Sequence, residues 1–123
     1  MECLFCKIIN GEIDTLKLYE DDTVMVIMDA YPNVDGHVLI LPKQHYDTFK
    51  DLPNDVLTHI NEISKKFTDI IMDKLNAKEL SILVNYGTAQ KIKHYHMHLL
   101  PNFGLRAEKD PKEIYEVLKT WQD

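Results

Sequence analysis

The stretch HYHMHLLP, from His94 to Pro101, puts a histidine at every second position. Imidazole titrates near pH 6.5, so at neutral pH a row of such rings can offer both a free nucleophilic nitrogen and a proton donor. The same three rings could instead chelate a single metal ion as a three-nitrogen set. One isolated histidine is most often an ordinary half-buried residue, but three in alternation call for a shared role. A second group able to do chemistry is the CLFC segment, with Cys3 and Cys6 three residues apart. A redox pair of this spacing usually opens a helix after a strand, c-type haem attachment needs His where Lys7 stands, and half a zinc site needs two further ligands.

The alternation itself implies a strand. Successive strand side chains point to opposite faces, so His94, His96 and His98 form a row with roughly 7 Å between neighbours. Tyr95, Met97 and Leu99 then face the other way, toward a core. Around this strand the chain reads as alternating short elements. CLFCKII predicts a short helix, LKLYE and TVMVIMD two strands, and HVLILPK a third after the turn signal YPNVDG. Val56, Ile60, Ile63, Phe67, Ile70 and Ile71 recur at spacings of three and four, which predicts one long amphipathic helix. LSILVNYG predicts a fourth strand, the histidine stretch a fifth, and DPKEIYEVLKTWQD a last short helix with Pro111 in its first turn. The expected fold is α+β: a five-stranded antiparallel sheet with one long helix and short N- and C-terminal helices, built as one domain over residues 1–123.

Composition narrows the function. Fourteen basic residues against twenty acidic ones give a net charge of -6, which argues against a nucleic-acid polymer or an anionic membrane as partner. The N-terminal segment lacks the layout of a signal peptide, and no apolar run is long enough to span a membrane. A cytoplasmic location is expected, where Cys3 and Cys6 stay reduced rather than forming a structural disulfide.

His94 to Leu100 resembles the signature of the histidine triad (HIT) nucleotide-binding family, in which three histidines alternate with apolar residues. The resemblance extends along most of the chain, through CLFCKIINGEI, YEDD, MDAYPNVDGHVLILPKQH and NYG in that order. It implies an enzyme, a nucleotide hydrolase or phosphoramidase, in which His96 attacks the α-phosphorus of a purine nucleoside phosphate derivative to form a nucleotidyl-histidine. His98 would contact the phosphate and leaving group. His37, Asn85 and Gln90 match other site positions, Asp29 matches the acidic residue that accepts from the ribose hydroxyls, and Leu4, Phe5, Ile8 and Met28 form an apolar slot for the base. Cys3, Cys6, His45 and His94 match a structural zinc set used by some bacterial members. The resemblance also implies a homodimer. The loop between Asn85 and Gln90 is shorter than is usual in the family, with Ala89 in place of a Gly, and Lys91 and Lys93 bring positive charge beside it. The shortened loop keeps open an alternative function, a nucleotide-binding or scaffold protein with negligible turnover.

Overall fold

The computed structural model describes residues 3–122. The element order is α1 (Leu4–Ile9), β1 (Lys17–Glu20), β2 (Val24–Met28), β3 (Val38–Pro42), α2 (Asn54–Lys74), β4 (Leu80–Leu83), β5 (Met97–Pro101) and α3 (Pro111–Leu118). All pairings are antiparallel, and the strands lie in the order β1-β2-β3-β5-β4. This is the α+β architecture expected from the sequence.

Alternation in β2 and β3 sorts their side chains onto the two faces of the sheet. Val24, Val26, Val38 and Ile40, with Met97 and Leu99 of β5, face α2 and α3 and pack with Ile60, Phe67, Ile71 and Leu118. Met25, Ile27, Leu39 and Leu41 face the opposite way, against Phe5 of α1 and Cys3 at its N-cap. Both strands are therefore buried along their whole length, which explains why they read as unbroken apolar runs rather than alternating ones. The stripe on α2 falls as its spacing demands: Ile60, Ile63, Phe67 and Ile71 are buried, and Val56 and Ile70 are packed at its margin.

The two edges of the sheet differ. Along β1, the Tyr115 hydroxyl donates to Lys17 O (3.1 Å) and Trp121 Nε1 donates to Leu18 O (3.1 Å), so the C-terminal segment covers that edge. The short β4 carries a half-exposed Ile82 on the other edge.

One expectation needs correction. The fifth strand begins at Met97, not at His94. Ladder pairing to β3 runs only from Val38↔Leu99 to Ile40↔Met97. Beyond that point the Pro42 carbonyl is occupied by the His94 ring, 2.8 Å away, and the Tyr95 amide donates to Tyr46 O at 2.7 Å. Side chains and a neighbouring loop have replaced the ladder there. The parity survives nonetheless: Tyr95, Met97 and Leu99 enter the α2-facing core, while His94, His96 and His98 stay out of it. Similarly, the fourth strand ends at Leu83, and Gly87–Ala89 form a 3-10 turn.

Candidate active site and metal-binding cluster

A cavity of about 790 Å³ opens on the α1 side of the sheet. Leu4, Phe5 and Ile8 supply one wall from α1, Met28 and Asp29 close the end of β2, and Asn85, His96 and His98 face them. These eight, assigned to a nucleotide on the strength of the sequence, line one cavity. Phe5 is nearly fully buried and sets its ring edge-on to His96, with 4.9 Å between centroids. Asp29 is held by its own turn, where Oδ1 accepts from the Tyr31 amide at 2.8 Å.

His37 and Gln90 stand behind the cavity rather than on its wall. Gln90 is buried and its Nε2 donates to Asp47 O (2.6 Å) and Ile92 O (3.0 Å), which clamps the segment leading to the triad. His37 backs His98. Sequence reasoning passed over the Ile13–Leu16 segment and Ile92, which also line the cavity. Their only signal was the isolated apolar character of Ile13, Leu16 and Ile92 in otherwise polar stretches.

Hydrogen-bond partners decide which nitrogen of each ring is free. His96 Nδ1 lies 2.8 Å from the His94 carbonyl, which can only accept, so Nδ1 carries the proton and Nε2 keeps its lone pair. The Asn33 amide donates to His37 Nδ1 (3.1 Å), so His37 carries its proton on Nε2. That proton goes to His98 Nδ1 at 2.8 Å, which leaves His98 with an Nε2–H. This N–H is buried and meets no acceptor among the described residues. His96 and His98 face each other with ring centroids 4.8 Å apart. The pair thus presents one lone pair and one donor side by side.

Electrostatics keep these rings neutral. Burial, with His96 and His37 nearby, pushes the His98 pKa down to about 4. Burial also lowers His96, against the pull of the His94 carbonyl and Asp29, and lowers His37, against the pull of Asp29. A neutral His96 is the nucleophilic form.

Behind this row sits a second cluster, Cys3, Cys6, His45 and His94, whose ligand atoms all lie within 4.8 Å of one another. His94 Nε2 is turned to the Pro42 carbonyl and His45 Nε2 to Asp47 Oδ1 (2.7 Å), so both rings aim Nδ1 lone pairs inward. Those two nitrogens are 3.1 Å apart. Cys6 Sγ lies 3.2 Å from His45 Nδ1 and 3.6 Å from His94 Nδ1, and Cys3 Sγ lies 3.5 Å from His94 Nδ1. A tetrahedral ion with ligand bonds of about 2.0–2.3 Å spaces its ligands about 3.3–3.8 Å apart, which these distances approach. Burial and the neighbouring Cys3 push the Cys6 thiol up to about 11, and two lone pairs converge at His45 and His94. A cation resolves both costs at once, so the residues fit a metal ion. Asp29, His37 and His98 also lie close enough to suggest ligands, but the proton on His37 Nε2 blocks its lone pair. In that trio His37 donates to His98 and has Asp29 Oδ2 3.5 Å from the same nitrogen, an arrangement of polar contacts rather than a metal centre.

The antiparallel sheet, with a histidine row on one face and a cleft above it, defines a class that comparison makes specific. The chain belongs to the HIT domain family, whose profile matches residues 10–105. It is 38% identical over 103 residues to an uncharacterized HIT-like protein of Methanocaldococcus jannaschii, covering 82% of this chain and 79% of that one. It is 38% identical over 105 residues to a Candida albicans protein named adenosine 5'-monophosphoramidase, covering 80% of this chain and 69% of that one. A protein of Arabidopsis thaliana named adenylylsulfatase is 40% identical over 111 residues, which are 89% of this chain but only 54% of that one. Among solved structures, a zinc-bound histidine triad family protein from Mycobacterium smegmatis superposes with a TM-score of 0.89 at 27% identity, covering 98% of this chain and 92% of that one.

Proposed function

We propose that the protein is a nucleotide hydrolase that cleaves the bond between the α-phosphorus of a purine nucleoside phosphate and its leaving group, through a covalent intermediate on His96. The observation that carries this reading is the His96 Nδ1 contact to the His94 carbonyl, which directs the Nε2 lone pair toward the cleft. The nucleoside lies in the apolar slot of Leu4, Phe5, Ile8 and Met28, with its ribose hydroxyls donating to Asp29. Asn85 and His98 hold the phosphate. His96 Nε2 attacks phosphorus and the bond to the leaving group breaks, its electron pair departing with that group. His98 Nε2–H donates to the leaving atom where that atom needs a proton. Water then adds hydroxide to phosphorus, the nitrogen–phosphorus pair returns to His96, and one proton is released. His37 acts through His98 as a positioning residue, and Gln90 fixes the loop.

The names of the Candida and Arabidopsis relatives support hydrolysis at an adenylyl phosphorus as the reaction class. The four-ligand cluster takes zinc in this reading, supported by its donor set and by the zinc-bound mycobacterial structure. Cys3 and Cys6 would hold the ion from the α1 side and His45 and His94 from the sheet side, which would tie α1, the carrier of the slot, to the sheet. The functional unit is a homodimer formed through the uncovered β4 edge.

The test is turnover of adenosine 5'-phosphoramidate with quenched samples read by intact mass. Wild type is expected to release adenosine monophosphate and to show an adenylyl adduct mapping to His96. His96→Asn is expected to lose several orders of magnitude in turnover while still binding adenosine monophosphate. An adduct on another residue, or wild-type turnover by His96→Asn, refutes the assignment.

A further inference from the structure

Two lysines follow Gln90, and the structure uses them differently. Lys93 Nζ donates to Gly87 O and Gln90 O, each at 2.9 Å, and so closes the turn over Gly87–Ala89. Lys91 is exposed, lines the cleft alongside His96 and His98, and has no hydrogen bond, ion pair or ring contact with any described residue. Among the described residues of the cleft wall it is the only lysine or arginine; the carboxylates there are Asp14 and Asp29. In a chain of net charge -6, an unpaired cation at this position stands out as a site for an anion.

The hydrolase reading says what that anion would be. Asp29 and the α1 slot take the nucleoside, and the α-phosphorus lies between His96 and His98. Asn85, Ala89 and Lys91 line the same cavity as His96 and His98, so on that reading a group beyond phosphorus would come within reach of Lys91. We propose that Lys91 makes the site selective for nucleotides whose leaving group is an oxyanion, a sulfate or a phosphate, over those whose leaving group is an amine. This rests on the hydrolase reading above. When sulfate leaves, the phosphorus–oxygen bond breaks with its electron pair on oxygen, and the dianion departs without taking a proton. A neighbouring ammonium stabilises that growing charge. An amine must instead take a proton from His98 as it leaves, and a nearby cation works against the positive charge that develops on it.

The experiment compares adenosine 5'-phosphosulfate with adenosine 5'-phosphoramidate on wild type, Lys91→Gln and Lys91→Arg. The sulfate-to-amine ratio of kcat/KM is expected to fall about tenfold in Lys91→Gln and to be retained in Lys91→Arg. Raising the salt should lower the ratio in wild type and leave it flat in Lys91→Gln, because an exposed charge is screened. Calorimetry gives a second readout that needs no turnover: adenosine diphosphate should bind more tightly than the monophosphate, and Lys91→Gln should remove that advantage. A ratio or an affinity advantage in Lys91→Gln equal to wild type overturns the proposal. If wild type hydrolyses both substrates with an unaltered ratio in the variant, only the role of Lys91 falls. If it hydrolyses neither but the diphosphate advantage depends on Lys91, the anion site stands and the hydrolase reading falls; if it binds neither nucleotide, both fall.

Discussion

Protonating His98 should weaken the native protein over a defined range of pH. In the folded chain the ring titrates at about 4, against an ordinary value of 6.5, because it is buried with His96 and His37 beside it. Between these values the unfolded chain binds a proton that the native one refuses. The penalty on the native state is therefore absent above about pH 6.5 and grows as the pH falls toward 4. Linkage puts the loss between pH 7.5 and pH 5 at roughly 2 kcal/mol for this ring, each unit of displacement being worth about 1.4 kcal/mol. His98→Asn retains an oxygen able to accept from His37 and removes the titration. Urea unfolding followed by Trp121 fluorescence, on metal-loaded wild type and variant at pH 7.5, 6.5, 5.5 and 5, should show wild type losing about 2 kcal/mol more than the variant. The subtraction cancels the pH dependence of the metal cluster, which both proteins share. Parallel stability profiles would mean that the ring is not held neutral by its setting.

Three further outcomes follow from particular contacts. Gly36 sits at φ +88°, and a Cβ there would come within 2.5 Å of Leu75 Cδ1 and 2.9 Å of Pro101 Cγ, so Gly36→Ala should cost about 2 kcal/mol or more and lower Tm by several degrees, measured by thermal melting. Cys6→Ser and His45→Ala should lose the bound metal in elemental analysis, whereas His96→Ala should keep it; stoichiometric metal in both of the first two variants would refute the ligand set. Sedimentation should show a dimer of twice the 14.4 kDa chain, and Ile82→Lys on the β4 edge should shift it to monomer, since a charge there blocks edge pairing.

The elements that were legible in the sequence are those in which one physical signal acts alone. The α2 stripe follows from helical period, and β2 and β3 follow from apolar runs bounded by turns. The histidine strand was only half legible, because its start is set by what pairs with Pro42, a residue 52 positions before His94. The slot residues Leu4, Phe5 and Ile8 were assigned through family resemblance, since on their own they read as core, and Phe5 is in fact nearly buried. Gln90 shows the opposite limit. Its position in the motif marks it as a site residue, and what the motif leaves open is its partners: both of its amide hydrogens go to backbone carbonyls of Asp47 and Ile92.

The six histidines make the same point at the level of single atoms. Spacing locates the rings but says nothing about which nitrogen carries the proton, and that choice separates a nucleophile, a donor and a ligand. A carbonyl at Nδ1 leaves His96 with its lone pair on Nε2, whereas a carbonyl at Nε2 leaves His94 with its lone pair on Nδ1, toward the cysteines. An amide at Nδ1 makes His37 a donor to His98. Outside both groups, His59 contacts Asp21 at 2.6 Å on a partly exposed surface. Although partial burial opposes it, that contact, with the amides of Val24 and Thr23 and the Tyr19 hydroxyl, holds the Asp21 carboxyl well below its usual range. Each role is assigned by a partner far away in sequence or by the backbone itself. Chemistry in this site is thus specified by the sheet and its loops, which decide the free atom, as much as by the alternating histidines that provide the rings.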